Sequence, residues 1–305
     1  MEDNVVPLRP VDRKRLNRLQ ERTENPLNTD DIGYVHTILA QCFLPYKDPH
    51  VNHWKRKNGR YSIILTAGFL DDPAEGGDII PLGLPFGAKP RLFQSYICTK
   101  AIKQQSRIIP VERSMTGMIH ELGFAARGGL RGDIKSFKEQ INRFARCRFD
   151  IVIQDDKAGK QTYIKAEPIE RFEVWFAHDH RQHSFWPSEI VLTDQFYQSL
   201  KEHAIPLDFR ALAAIQNKPR AIDIYLWLTQ RLCRIPRNKP LLMRWTDLHD
   251  MFGGQLPLKS FKRDFPNDLK AACTNYIEAR IEEHEEGYLF RYSDPPVPKA
   301  QVFLK

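Results

Sequence analysis

The sequence predicts an α+β protein made of tandem winged-helix domains, because one module of helix, strand, two helices and hairpin occurs twice. Both copies carry the same short motifs in the same order. In the first copy these are Lys89-Pro90-Arg91, Tyr96, Leu122-Gly123 and Lys135-Ser136-Phe137-Lys138. In the second copy they are Lys218-Pro219-Arg220, Tyr225, Phe252-Gly253 and Lys259-Ser260-Phe261-Lys262. A duplicated helical module in a basic chain is typical of proteins that hold a repeating or two-sided partner.

The separation between the two copies is nearly constant along the chain. Lys89 and Lys218 lie 129 positions apart, and Lys135 and Lys259 lie 124 positions apart. The shortening falls between the second and third predicted helices, where the first copy has a loop over 125–132 that can absorb an insertion. The spacing therefore favours a duplication over the alternative, which is chance similarity between helix-rich segments.

Composition sets the class of protein. Of 305 residues, 42% are hydrophobic and 28% are charged, which predicts a soluble chain with room for two domains. The sequence shows no apolar signal region and no apolar run long enough to span a membrane. Five scattered cysteines without a C-x-x-C pair indicate a reducing cytoplasm rather than a disulfide framework or a thiolate zinc site. The net charge of +8 favours a polyanionic partner.

Four parts are predicted in order along the chain. They are a flexible basic arm over 1–30, a first winged-helix domain over 31–177, a linker over 178–205 and a second winged-helix domain over 206–305. Ahead of the first copy, Ile32, Val35, Leu39 and Phe43 recur at helical spacing until Pro45, which predicts a helix. A β-rich run over 61–67 predicts a strand.

The elements of each copy follow from apolar spacing, caps and turns. In the first copy we expect a helix from Pro90, a strand over 107–111, helices over 114–122 and 134–147, and a hairpin of strands 148–153 and 162–166. In the second copy we expect a helix after Pro219, a strand over 241–245, a helix over 246–252, a long helix from about 257, and a hairpin of strands 276–281 and 288–292. Pro266 lies inside that long helix and predicts a kink.

The third helix of each copy is the predicted DNA-reading element, because its apolar back leaves a basic front that fits the major groove. The predicted DNA-binding residues on these helices are Lys135, Lys138, Arg143, Arg146, Lys259, Lys262, Arg263 and Lys270. Arg127 and Arg131 join the set, since their glycine-rich loop precedes the first long helix and can present arginines and amides to a phosphate. The glutamate-rich second hairpin should be repelled by phosphates and face protein or solvent.

An enzymatic function has little support in the sequence. His178, His180 and His183 could hold a divalent metal, and Tyr197 could act as the nucleophile of a rolling-circle nickase. However, Asp179 occupies the position where such nickases carry an apolar residue. Nucleotide-binding, kinase and nucleophile-elbow motifs are missing as well. The sequence therefore predicts no catalytic residue, no metal and no cofactor.

Several runs of residues resemble one known family. These runs are Leu84-Pro85-Phe86-Gly87-x-Lys89-Pro90-Arg91, Ile97-Cys98-Thr99-Lys100-Ala101-Ile102 with Gln105-Ser106, Ser114-Met115-Thr116 to Leu122-Gly123, and Phe137-Lys138-Glu139-Gln140-Ile141 to Ala145-Arg146-Cys147. They look like the plasmid-encoded RepA family of replication initiators, over about residues 55–290. The resemblance implies binding to repeated double-stranded DNA sites at a plasmid origin and recruitment of the host replication initiator and helicase. It also implies tandem winged helices that act as monomers on repeats and as dimers in repression.

The predicted function is therefore a bacterial plasmid replication initiator that binds DNA sequence-specifically. Two alternatives stay open at this stage. A transcriptional regulator of the same fold would need no contact with host replication proteins, and a nickase would cut supercoiled origin DNA in a metal-dependent way.

Overall fold

The computed structural model describes residues 16–18, 20–21, 24–41, 43–59, 61–71, 79–110, 115–122, 133–155, 159–165, 167–171 and 189–298. Within these ranges the chain is a mixed α/β protein in which helices accompany antiparallel sheets. None of the helices described is both long enough and apolar enough to cross a membrane.

Helices and strands occur along the whole described chain. The helices α1 to α8 are Ala88–Gln104, Met115–Glu121, Asp133–Arg146, Asp194–His203, Phe209–Ala214, Pro219–Arg231, Trp245–Phe252 and Leu258–Asn275. The strands β1 to β14 are Ile32–His36, His53–Asn58, Tyr61–Thr66, Phe69–Asp71, Ile79–Pro81, Ile108–Pro110, Arg148–Asp155, Lys160–Lys165, Ile169–Arg171, Glu189–Leu192, Ala204–Asp208, Leu241–Arg244, Ile281–His284 and Gly287–Phe290.

The two copies contain the same elements in the same order, as the sequence predicts. The first copy runs α1, β6, α2, α3, β7 and β8, and the second runs α6, β12, α7, α8, β13 and β14. In both long helices the apolar stripe is buried, with Phe137 and Phe144 in α3 and Phe261 and Phe265 in α8. The shared order follows from the shared spacing of apolar residues and turns.

The sheets of the two copies differ. In the second copy, β12 pairs with β14 and β14 pairs with β13, so the hairpin and the preceding strand form one antiparallel sheet. In the first copy, β6 pairs with β10 instead. The hairpin β7–β8 is extended by β3 and β2, which gives a four-stranded sheet in the order β2-β3-β7-β8. The first hairpin is therefore built into a larger sheet.

The helix predicted from Ile32 to Phe43 is wrong. Residues 32–36 form β1, which pairs with β11 in antiparallel register from Ile32 opposite Asp208 to His36 opposite Ala204. All five residues of β1 are buried, so no alternation of buried and exposed positions marks the strand. A short strand that is covered on both faces cannot be distinguished from a helix by its apolar spacing alone.

Two further differences concern the second copy. The strand predicted over 276–281 begins only at Ile281, because α8 continues to Asn275 and Tyr276 caps it. The hairpin turn then lies at Glu285 and Glu286, and Gly287 begins the next strand. Pro266 lies within α8, which is assigned as one continuous helix on both sides of it.

The predicted linker over 178–205 contains regular structure in its second half. β10 and α4 occupy most of residues 189–203, and β11 follows at once. β10 pairs with both β6 and β9, so this segment is part of a sheet with the first copy. Residues 178–188, which include the three histidines, lie outside the described residues.

A buried ion pair joins the first helices of the two copies. Arg91 of α1 is 2% exposed, and it donates to Asp223 of α6 from Nε at 2.7 Å and from Nη2 at 2.8 Å. It also donates to the carbonyl oxygens of Leu44, Pro45 and Gly87. All five donors of the guanidinium are thus used, which is the geometry that a buried charge requires.

Candidate nucleic-acid interface

The helix α8 presents a basic stripe beside its buried face. Phe261, Phe265 and Leu269 are buried against the core of the second copy. The predicted DNA-binding residues Lys259, Lys262, Arg263 and Lys270 are all exposed. At the helical repeat of 3.6 residues per turn, these four lie within an arc of about 100°. The structure therefore brings together the second-copy residues that the sequence predicted.

The carboxylates of α8 lie to one side of this stripe. Asp268 accepts a hydrogen bond from Arg220 Nη1 at 3.0 Å, and its pKa is raised because burial outweighs the nearby cations. Asp264 forms an exposed pair with Arg263, whose Nε lies 2.7 Å from Oδ1. An exposed pair of this kind contributes little free energy, so Arg263 can exchange its partner for a phosphate. Lys262 Nζ lies 5.5 Å above the Trp245 ring, in cation–π contact.

The helix α3 presents a similar but interrupted stripe. Lys135 and Arg146 are exposed and Lys138 is partly exposed. Glu139 lies among them on the same face, and its carboxylate accepts a hydrogen bond from Arg143 Nη2 at 2.7 Å. The first copy therefore retains three of its predicted cations at the surface, with a carboxylate between them.

Arg143 is bonded to groups of the protein itself. Its side chain is 14% exposed and donates to Asp48 Oδ2 at 2.8 Å and to the Leu84 carbonyl oxygen at 3.2 Å. Burial tends to raise the pKa of Asp48, but the His50 amide and Arg143 together lower it, so this carboxylate stays ionised. Arg143 thus anchors α3 to the segment before β2.

Tyr197 is the one candidate of the nickase alternative that lies within the described residues. Arg127 and Arg131 lie outside the described residues, as do His178, His180 and His183. Tyr197 is placed on α4, where its side chain is 8% exposed and burial raises the pKa of the phenol. Burial and a raised pKa both disfavour a nucleophile, so nothing about Tyr197 supports the nickase alternative.

The hairpin β13–β14 is acidic at its surface, as the sequence predicted. Glu282 accepts two hydrogen bonds from Arg291, which lower the pKa of its carboxyl group. Glu283, Glu285 and Glu286 are exposed near the turn. Phosphates would be repelled from this end of the sheet.

Sequence reasoning missed a cluster of guanidinium groups around one aromatic ring. The Cζ atoms of Arg56, Arg91 and Arg220 lie 4.8, 5.1 and 5.3 Å from the centroid of the Tyr46 ring. Arg91 and Arg220 are the arginines of the repeated Lys-Pro-Arg motif, which the sequence marked only as evidence of duplication. The repeat thus delivers one arginine from each copy to the same ring, at the contact between the copies.

Comparison with known proteins identifies one family. A family model described as plasmid encoded RepA protein matches residues 84–246, which is more than half of the chain. The matched region begins just before α1 and ends within α7. No curated protein and no solved structure matches the chain.

Proposed function

The chain belongs to the family of plasmid-encoded RepA proteins and is a plasmid replication protein, and we propose that it initiates replication by binding repeated DNA sites at the plasmid origin. The observation that carries this proposal is the basic stripe of α8, formed by Lys259, Lys262, Arg263 and Lys270. A helix with a buried apolar back and an exposed cationic front can enter the major groove and meet phosphates and guanine edges.

The second copy supports the winged-helix interpretation in its element order and its sheet. A helix, a strand, two helices and a hairpin, with the first strand paired to the second strand of the hairpin, is the arrangement in which the third helix acts as recognition helix. We propose α8 in that role. The first copy has the same element order, so we propose that α3 contacts DNA as a second helix, although its hairpin pairs differently.

The remaining parts of the proposal rest on the family. We propose a binding protein without catalytic activity that acts in the cytoplasm of a bacterial host. It recruits the host replication initiator and helicase to the origin, and it forms a homodimer when it represses its own gene. The acidic end of the β13–β14 sheet is unsuited to DNA and is left available for protein partners.

The test is binding of the purified full-length protein to an origin fragment that carries the repeats, against a scrambled duplex of equal length. Fluorescence anisotropy over a salt series from 50 to 300 mM gives both the affinity and its salt slope. We expect tight binding to the repeats alone and a logarithmic slope near −0.9 for each phosphate contacted.

Footprinting on the same fragment then measures the extent of the contact. Two recognition helices, one in each successive turn of the major groove, should protect about two helical turns of DNA. Equal and weak binding to both duplexes would contradict the proposal, and protection of a single half-turn would limit it to one helix.

A further inference from the structure

A cavity of about 410 Å³ lies where the two copies meet, beside the turn that joins α7 to α8. It is bounded by the segment around Tyr46, by β2, and by residues 253–256. The side chains that give it its character are three cations, two aromatic rings and one carboxylate. They are Lys47, Arg56, Arg220, Tyr46, Trp54 and Asp264.

Arg56 is the unusual member of this set. Its side chain is 7% exposed, and its Nη1 is buried without a hydrogen-bond partner. Throughout the described part of the chain, its guanidinium forms no hydrogen bond and no ion pair. Its Cζ atom lies over the rings of Trp54 and Tyr46, at 5.0 and 4.8 Å from their centroids. A buried charge in this state is costly unless an anion completes its environment.

Arg91 lies at the same Tyr46 ring, and all of its guanidinium donors form hydrogen bonds. It uses its donors on Asp223 and on three carbonyl oxygens, whereas the Arg56 guanidinium lies over aromatic rings and makes no hydrogen bond in the described part of the chain. Hydrogen-bond acceptors are therefore present in this region, since Arg91 finds five of them. The contrast indicates that Arg56 is left without a protein partner at this site.

The carboxylates near the cavity are already paired with other cations. Asp223 is bound by Arg91, Asp268 by Arg220, and Asp264 by Arg263. Among the described residues, Lys47 has no ion pair either, and its side chain is exposed at the cavity. Arg56 and Lys47 thus add positive charge at the cavity, and among the described residues neither of them forms an ion pair of its own.

The turn beside the cavity approaches the Arg56 guanidinium closely at Gly254. Gly254 has a φ of +63°, and a Cβ atom there would lie 3.0 Å from Arg56 Nη2 and 3.1 Å from the Tyr46 ring. A side chain at this position would press on both groups and strain the backbone. The backbone therefore approaches the guanidinium as closely as a glycine permits, which fixes the position of Arg56 in the wall of the cavity.

We propose that this cavity is a phosphate-binding site in which Arg56 is the principal ligand and Lys47 and Arg220 assist. A guanidinium that lies over aromatic rings presents a planar fork of donors, which suits a phosphate oxyanion. The phosphate comes either from the backbone of bound DNA or from a free nucleotide. A DNA phosphate would be held next to the start of α8, so this source rests on the proposed function, while the free-nucleotide source does not.

The first measurement is thermal unfolding of the full chain in inorganic phosphate or AMP, with potassium chloride at matched ionic strength as reference. At ligand concentrations about tenfold above Kd, the Tm of the wild type should rise by roughly 2–4 °C. Arg56→Gln should abolish the rise, and Lys47→Gln should reduce it. Lys57→Gln is the matched control, because it removes an exposed charge from the same strand without touching this cavity.

The variant also separates a binding role from a structural one. If Arg56 exists to bind an anion, Arg56→Gln should be at least as stable as the wild type without ligand, because a buried unpaired charge is removed. A clear fall in Tm without ligand would mark Arg56 as structural and count against the proposal. Lys47 is exposed, so Lys47→Gln should fold in either case. A reduced rise in Tm with phosphate in this variant supports the proposal, and an unchanged rise counts against it.

The second measurement distinguishes the two phosphate sources. If free phosphate and AMP leave the wild type unchanged, but Arg56→Gln weakens DNA binding about tenfold and reduces the salt slope by about one, the site holds a backbone phosphate. If AMP stabilises the wild type but not Arg56→Gln, the site accepts a free nucleotide, even in a protein that fails to bind origin DNA. No response to phosphate, together with wild-type DNA binding by Arg56→Gln, overturns the proposal.

Discussion

The two long helices, α3 and α8, are equivalent in the repeat but differ in what they expose. Three of their basic positions coincide, since Lys135, Lys138 and Arg146 correspond to Lys259, Lys262 and Lys270. The difference lies between these positions, where the first helix has Glu139 and the second has Arg263. A carboxylate therefore interrupts the stripe of α3, while no carboxylate lies within the stripe of α8.

The surroundings of the two helices also differ, because α3 and the hairpin after it are joined to residues outside their own copy. Arg143 ties α3 to Asp48, and the hairpin after α3 is built into a four-stranded sheet with β2 and β3. The hairpin after α8 pairs only within its own copy in the described structure. We infer that the first copy acts mainly as the scaffold and that the second copy carries most of the DNA contact.

The largest expected effect concerns the ion pair that joins the copies. Arg91→Met should lower the free energy of unfolding by about 3–5 kcal/mol, because it leaves Asp223 buried without its partner. Arg220→Met removes the equivalent arginine of the second copy, whose pair with Asp268 is less buried, and should cost about 1–3 kcal/mol. Chemical denaturation of both variants measures the difference.

A double variant checks the reason for this cost. Arg91→Met combined with Asp223→Leu removes both charges and should recover much of the stability lost in the single variant. Equal costs for Arg91→Met and Arg220→Met would show that the two motifs serve the same structural purpose. The difference in unfolding free energy would then no longer support a scaffold role for the first copy and a DNA-binding role for the second.

A second prediction concerns pH and the scaffold side of the molecule. His36 of β1 is buried, Ile38 N donates to its Nδ1 at 3.1 Å, and its Nε2 lies 2.9 Å from Ser199 Oγ. Burial, with a smaller effect of His203, lowers the pKa of His36 to about 4. Because this value lies below that of the unfolded chain, stability is complete above pH 6.5 and is lost as the pH falls towards 4. The loss should reach about 2 kcal/mol at pH 5.

The measurement is the Tm of wild type and His36→Gln between pH 7.5 and 5. The variant should show a smaller fall in Tm than the wild type, since its side chain does not titrate. Hydrogen exchange at pH 5 should show lost protection in β1 and α4, with α8 unchanged. Loss of protection in α8 to the same extent would mean that the two copies unfold as one unit.

The sequence predicted the elements of both copies because apolar spacing and turns are local signals. It failed at β1, where burial on both faces removes the alternation that marks a strand. It did not reveal the bond between Arg143 and Asp48, because Asp48 lies 95 positions away and no local pattern indicates that contact. The role of Arg56 was not predicted for the same reason. Its lack of an ion pair depends on which carboxylates the other arginines bind in the folded protein.

A third prediction compares the two stripes directly. Replacing Lys262 and Arg263 with Ala should weaken binding to origin DNA roughly tenfold to twentyfold at 0.2 M salt and reduce the salt slope by about 1.8. The equivalent pair of cations in α3 is Lys135 and Lys138, and their replacement with Ala should have a smaller effect. Anisotropy titrations over the same salt series measure both variants.

Circular dichroism is the control for these exposed substitutions, which should leave the folded structure unchanged. Equal losses from both pairs would show that the two helices share the DNA equally. Unchanged affinity and slope in the α8 variant would move the DNA-binding surface away from α8 altogether.

The smallest expected effect is a gain in affinity. Glu139→Arg gives α3 the residue that α8 carries at Arg263, and it removes only an exposed pair with Arg143, which keeps its bond to Asp48. If α3 lies on DNA, one added phosphate contact should raise affinity roughly fourfold at 0.2 M salt and steepen the salt slope by about 0.9. Glu139→Gln removes the repulsion without adding a contact, so it should raise affinity less and leave the slope unchanged. An unchanged salt slope in Glu139→Arg would show that α3 does not contact DNA phosphates. Only the second copy of the module would then bind DNA.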